Sequence, residues 1–328
     1  MKILFCDIGY AESRTQLAPL IPAWHVATCA KDAVAANLSD VDVIVPYGSV
    51  ISSDVINRGS FGLIQQFGVG LETVDVPAAT AAGVWVARIP SGGTGNAESV
   101  AEHAILLMLA LARRMREAQA MLDQKITGQP AGKALLHKTA AIVGLGDVGA
   151  ALARRLHAFG MRLCGVRANP TKGSPPDVPA MKILGPDRLH DALREADFVI
   201  VCVRLEDSNR NLIDRGAFDA MKRGAILVNV ARGGLVDSDA LLEALASGRI
   251  GGAGLDVFSQ EPVDPQHAMF HHNVIATPHI AGVTDESYRG IAHAVAANLY
   301  RFAIGEPPRH AVNAPPVPRW PSKPASAP

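Results

Sequence analysis

The chain has 328 residues, 48% of them hydrophobic and 5% aromatic, with 31 basic and 31 acidic side chains and a formal net charge of zero. That length exceeds one ordinary core and suits two domains. Balanced charge without a basic block argues against nucleic acid or an anionic membrane as a partner.

Cys6, Cys29, Cys164 and Cys202 are scattered without metal-binding or redox spacing, so reduced thiols, no metal site and a cytoplasmic location are expected. Met1-Lys2-Ile3-Leu4-Phe5 runs into Cys6-Asp7 with no extended apolar core of a secretory signal. The most apolar run, Ala104 to Ala112, is far short of the ~20 residues of a spanning helix, and a soluble protein is expected.

Short apolar runs alternate with helical patterns, the signature of parallel α/β construction. Strands are expected at 2–6, 24–28, 42–46, 62–66 and 84–88. A long helix follows over about 97–117, apolar at Val100, Ala104, Leu107, Leu111 and Met115. A second series of strands is expected at 139–144, 161–166, 197–203, 224–230, 252–256 and 273–276, then a second long helix over about 284–303. Two long helices bracketing one α/β unit indicate a domain inserted into another. The expected fold class is therefore α/β, with two Rossmann-like or flavodoxin-like parallel-sheet domains. The expected boundaries are 1–97 with 289–314 for the discontinuous domain and 98–288 for the inserted one. From Pro315 the chain is proline-rich and aperiodic, so 315–328 reads as a disordered tail, although Trp320 has the means to dock on a neighbour.

Val143-Gly144-Leu145-Gly146-Asp147-Val148-Gly149 follows an expected strand and opens a helix near Asp147. In such a dinucleotide turn the first glycine permits the tight bend, the second admits the pyrophosphate and the third lets helix and strand pack closely. The helix N-terminus then faces the phosphate charge. The second strand of the unit ends at Arg167, where a site specific for NAD normally carries Asp or Glu to accept bonds from the ribose hydroxyls. A guanidinium cannot accept those bonds, but it grips a 2′-phosphate as a fork, with Lys172 near in sequence to add charge. Arg167 thus favours NADP, with NAD as the alternative if the arginine merely faces solvent.

Three further motifs follow. Arg232 lies in Asn229-Val230-Ala231-Arg232-Gly233-Gly234, Glu261 in Leu255-Asp256-Val257-Phe258-Ser259-Gln260-Glu261-Pro262, and His279 in Thr277-Pro278-His279-Ile280-Ala281-Gly282. Together with the glycine turn they make the chain resemble the D-isomer-specific 2-hydroxyacid dehydrogenase family over roughly residues 40–314. The resemblance implies hydride transfer between NAD(P)H and a small 2-oxo or 2-hydroxy acid, with the inserted domain holding the cofactor and the discontinuous one the substrate. Such a reaction requires a proton donor for the carbonyl oxygen, a cation for the carboxylate and rigid alignment. His279 suits the acid/base role because imidazole titrates nearest neutrality. Glu261 suits the group that orients and charges it, and Arg232, closing a strand, the one that binds and polarises substrate. In the related formate-oxidising enzymes the histidine's partner is Gln, so Glu261 argues for a hydroxy acid.

Other roles rest on the resemblance. It adds Asp147, Val148 and Ala231 to the cofactor site formed by Gly144, Gly146, Gly149 and Arg167, and sets Asp256 near the nicotinamide carboxamide. It gives the substrate carboxylate to the loop amides of Val69 and Gly70, within Phe67-Gly68-Val69-Gly70-Leu71, and a polar substrate contact or a helix cap to Asn96. Tyr47, Ser49 and Arg88 are candidates for the side-chain pocket. Many members carry a tryptophan shortly before the cofactor domain's first strand. Between Met121 and Leu136 there is none, which leaves the substrate and the usual dimer contact open. A homodimer is the expectation, as is turnover without a regulatory domain. The alternative from another class is a dinucleotide-sensing, corepressor-like binding protein on the same scaffold.

Overall fold

The structure is a computed structural model and describes residues 1–178 and 181–321. The chain divides into two compact units, one formed by Met1–Asn96 with the segment from Thr284 onward, the other by Ala97–Val283. The return to the first unit thus falls at Thr284, five residues before the expected 289.

In the first unit, β1 (Lys2–Phe5), α1 (Ala11–Leu17), β2 (His25–Thr28), β3 (Val43–Val45), α2 (Ser53–Arg58), β4 (Leu63–Gln65), α3 (Val76–Ala81) and β5 (Trp85–Ala87) follow in order. The five strands form one parallel sheet in the order β2-β1-β3-β4-β5. Strands β3, β4 and β5 are buried at every position, as continuous apolar runs in a parallel sheet require. One face packs on a core containing Phe5, Phe67 and Trp85, the other on a core containing Leu4, Ile44 and Phe61.

Helix α4 (Asn96–Ala112) carries the chain into the second unit. The expected single helix over 97–117 is instead two, because Arg114 takes a left-handed φ of 53° and starts α5 (Met115–Asp123). There follow β6 (Thr139–Val143), α6 (Asp147–Ala158), β7 (Arg162–Val166), β8 (Lys182–Leu184), α7 (Leu189–Glu195), β9 (Phe198–Val201), α8 (Arg215–Ala220), β10 (Ala225–Asn229), α9 (Ser238–Ala246), β11 (Ile250–Leu255) and β12 (Val274–Ala276). The seven strands are parallel, in the order β12-β11-β10-β9-β6-β7-β8. Order reverses beside β6, so the glycine turn stands at the topological switch point where doubly wound sheets bind ligands. Strand β8 was not expected; three residues are too few to show a period of two.

Helix α10 (Asp285–Ala303) returns the chain to the first unit, its N-terminus capped by the Thr284 hydroxyl accepting from Ser287 N–H at 3.1 Å. Residues beyond Pro315 depart from the expected disorder as far as Pro321, whereas 322–328 lie outside the described residues. Arg319 donates its amide to Gly83 O and its guanidinium to Gly59 O, and Trp320 packs its ring 5.7 Å from Phe302 and 6.1 Å from Trp85. The docking has a steric cause in the glycines beneath: a Cβ on Gly62 would lie 2.2 Å from Arg319 O, and one on Gly83 2.5 Å from Val317 O. Trp320 thus docks on a neighbour, as its residue type allowed, against Phe302 and Trp85, which local periodicity does not name.

Candidate active site

The glycine turn is built as its sequence requires. Gly144 has a φ of +104°, and a Cβ there would meet Val203 N at 2.6 Å. Gly149 lies so close under the turn that a Cβ would come within 2.0 Å of Gly144 O. Gly146, in contrast, faces open space, with nothing within 4 Å of a Cβ. It caps α6 without a side-chain hydrogen bond, and Asp147 in the first turn is exposed while Val148 is half-buried. Helix N-terminal amides beside a glycine facing open space fit a dinucleotide pyrophosphate.

Arg167 follows β7 and is half-buried, donating from Nη1 to Gly173 O at 3.1 Å. It thereby braces a short loop, within which Asn169 Oδ1 accepts from Thr171 N–H at 3.1 Å. Lys172, in that loop, is exposed.

Arg232, Glu261 and His279 come from three loops that follow β10, β11 and β12, neighbours in the sheet. Nδ1 of His279 and Oε2 of Glu261 are 2.8 Å apart, and Oε1 of Glu261 accepts from Phe258 N–H at 3.0 Å. Burial pushes the Glu261 carboxyl up. The hydrogen bonds from His279 and Phe258, with the nearby positive charge of Arg232, outweigh that and hold it below the usual carboxylate range. Arg232 is half-buried and donates from Nη1 to the Ala231 carbonyl at 2.7 Å, while Asn229 Nδ2 donates to Arg232 O at 2.9 Å. What brings the Glu261 loop against the Arg232 turn is Gly233, where a Cβ would lie 1.9 Å from Phe258 C.

Asp256 is 1% exposed. Its side chain accepts from the amides of Ile280 at 2.8 Å and Ala281 at 2.9 Å and from the Thr277 hydroxyl at 2.7 Å. In this structure Asp256 is the brace of the His279 loop. That arrangement was invisible in sequence, which shows only that Asp256 follows a strand.

In the first unit, Val69 and Gly70 lie half-buried in the loop after β4, and their amides take no hydrogen-bond partner among the described residues. Gln66 Nε2 holds that loop by donating to Gly70 O and, at 2.9 Å, to Tyr47 O. Asn96 opens α4 and donates from Nδ2 to the buried Ser287 hydroxyl at 3.0 Å, which joins two helix starts. Ser49 is buried with its hydroxyl on Cys6 O, and the half-buried Tyr47 bonds through its hydroxyl to Ser13. Arg88 is half-buried.

The profile described as "D-isomer specific 2-hydroxyacid dehydrogenase, NAD binding domain" matches residues 105–281, just over half of the chain. The glyoxylate reductase of Thermococcus kodakarensis is 36% identical over 296 residues, covering 86% of each chain. This chain belongs to the D-isomer specific 2-hydroxyacid dehydrogenase family. The D-3-phosphoglycerate dehydrogenase of Methanocaldococcus jannaschii is 34% identical over 97% of this family member, which spans only 60% of that relative's length. Among solved structures, the apo D-lactate dehydrogenase of Escherichia coli superposes with a TM-score of 0.81 at 26% identity, covering 95% of this chain and 100% of that one. The glycine turn and the Arg232, Glu261 and His279 loops all fall within the span matched by the NAD-binding profile.

Proposed function

We propose that the protein is an NAD(P)-dependent reductase of small 2-oxo acids, with glyoxylate and hydroxypyruvate as first candidates. The observation that carries the reading is the 2.8 Å pair between His279 Nδ1 and Glu261, which leaves Nε2 of the ring for substrate. The similarity to a glyoxylate reductase supports the substrate class.

When bound, the nicotinamide supplies the hydride that reduces C2. The amides opening α6, around Gly144, Gly146, Asp147, Val148 and Gly149, hold the pyrophosphate in this proposal, with Ala231 and Arg167 further along the cofactor. His279 donates the Nε2 proton to the carbonyl oxygen as it gains charge, and Glu261 fixes the ring and favours its protonated form. Arg232 engages the carboxylate and polarises the C=O bond. The amides of Val69 and Gly70 are proposed as a second anchor for the carboxylate. A homodimer in the cytoplasm belongs to the same proposal, the location resting on four cysteines that are all free thiols.

The test is oxidation of NADPH and NADH by purified protein with glyoxylate, hydroxypyruvate, pyruvate and phenylpyruvate. Turnover of one acid is the expected result, with NADPH favoured and with Arg167→Ala reducing that preference. Tight cofactor binding with no turnover of any acid would move the reading to the dinucleotide-sensing alternative. Equal NADPH affinity in wild type and Arg167→Ala would remove Arg167 from the cofactor site. Size-exclusion chromatography with light scattering decides the dimer.

A further inference from the structure

His279 has a left-handed φ of 56°, an uncommon conformation for a residue other than glycine. The constraints lie on both sides of it. On one side Thr277 donates its hydroxyl to Asp256 Oδ1; on the other the amides of Ile280 and Ala281 donate to the same carboxylate. The His279 amide itself donates to the backbone carbonyl of Asp256 at 2.8 Å. One buried side chain therefore sets the turn that aims the imidazole.

A fourth group completes the arrangement. His103, on α4, has a side chain 12% exposed, with Nε2 2.8 Å from Thr277 Oγ1 and 3.6 Å from Asp256 Oδ1. Its place follows from packing: a Cβ on Gly254 of β11 would lie 2.8 Å from Leu107 Cβ, so α4 lies close over that strand. One helical turn before Leu107, His103 then sits over the end of β11, where Asp256 begins the loop. The proton positions are determined by valence. Thr277 has one hydroxyl proton and gives it to an acceptor-only carboxylate, so its oxygen accepts from His103 Nε2–H. Burial pulls His103 below its ordinary range against the opposing pull of Asp256, in keeping with a neutral ring that donates from Nε2.

We propose that His103 is a positioning residue for His279, acting through the hydrogen-bonded chain His103 → Thr277 → Asp256 that clamps residues 277–281. The proposal rests on His279 being the acid/base of the reaction. The chain orients the Thr277 hydroxyl, which could otherwise rotate away from Asp256. It also keeps the carboxylate aligned with the two amides beyond His279. In sequence His103 is one polar residue within an apolar helix, a pattern that by itself marks nothing.

The test compares His103→Leu, His103→Gln and Thr277→Val with wild type. It follows amide hydrogen exchange of Ile280 and Ala281, NADH and NADPH affinity by fluorescence, and kcat and KM with glyoxylate. In His103→Leu and Thr277→Val those two amides are expected to exchange at least about tenfold faster, with kcat down by about 10- to 100-fold and cofactor affinity unchanged. His103→Gln, which keeps a donor, should recover most of the rate, and His103→Leu/Thr277→Val should be no worse than either single change. Unchanged exchange in His103→Leu overturns the proposal. So does faster exchange with full kcat, or a Gln variant no better than Leu. Exchange is read without substrate: if wild type turns over no 2-oxo acid, the catalytic reading fails and the amides of Ile280 and Ala281 still decide the clamp.

Discussion

Glu261 and His279 join the loops after two adjacent strands through a 2.8 Å contact between a carboxylate oxygen and Nδ1. The carboxyl is held below its ordinary value of 4.5 by that contact, by the Phe258 amide and by Arg232, against the upward push of burial. It therefore stays ionised to more acidic pH than a free glutamate. Glu261→Gln can still accept from Nδ1 but withdraws the charge that favours a protonated imidazole. We expect the pH profile of 2-oxo acid reduction to fall off at lower pH in this variant than in wild type. His279→Ala should lose about 10²- to 10⁴-fold in kcat, as removal of a general acid does. Steady-state rates from pH 4 to 9 check both, and superimposable profiles for wild type and Glu261→Gln would separate this pair from the chemistry.

Gly233 controls how close the Glu261 loop comes to Arg232. A methyl group there would sit 1.9 Å from Phe258 C and 2.3 Å from Ser259 N, both backbone atoms with no rotamer to yield. Gly233→Ala is expected to destabilise the fold by about 1–3 kcal/mol, the usual cost of overpacking. It should lower kcat more than it lowers cofactor affinity, because the displaced segment carries Glu261. Denaturant titration with parallel kinetics measures this, and a variant with full stability and full rate would mean that the loop is not held there.

The fold was legible where physics is local. Parallel strands buried on both faces read as unbroken apolar runs, and Gly144, Gly146 and Gly149 announce their turn by their spacing between an expected strand and an expected helix. Arg232, Glu261 and His279 were legible as candidates as well, because each follows a strand within a short motif. The break between α4 and α5 at Arg114 was not, since a left-handed residue between two helical patterns leaves the periodicity almost intact. The partner on which Trp320 docks, Phe302, and the bracing of residues 277–281 by Asp256 were hidden. Both depend on partners distant in the chain, whose pairing no window of sequence contains.

The turn glycines separate stability from binding. Gly144→Ala places a Cβ 2.6 Å from Val203 N at a φ of +104°, so it should destabilise the second unit whether or not cofactor is present. Gly146→Ala adds a methyl into open space at an ordinary φ of −81° and should leave stability within about 0.5 kcal/mol of wild type. It should nevertheless weaken dinucleotide binding, because the methyl occupies the approach to the α6 amides. Thermal melts with and without NADPH resolve the two. Undiminished stabilisation of Gly146→Ala by NADPH would place the pyrophosphate elsewhere.

Asp197 supplies a pH-dependent part of the second unit's stability. It precedes β9 and accepts from the Thr139 amide at 2.8 Å and from Lys222 Nζ at 3.1 Å, tying the starts of β6 and β9 together. Burial raises its pKa, but the Thr139 amide and Lys222 outweigh that and hold the carboxyl below its ordinary value of 3.8. Because the folded value is depressed, the stabilisation is complete above pH 3.8 and is lost as pH falls through the lower folded value. Asp197→Asn should cost about 1 kcal/mol at neutral pH, with one acceptor lost and Lys222 left without its partner charge. The gap between the two proteins should close on acidification below pH 3.8, since wild-type Asp197 is then itself neutralised. Urea titrations at pH 7 and in the acid range measure the gap, and a constant difference would show that hydrogen-bond geometry, rather than the charge of Asp197, holds these strand starts together.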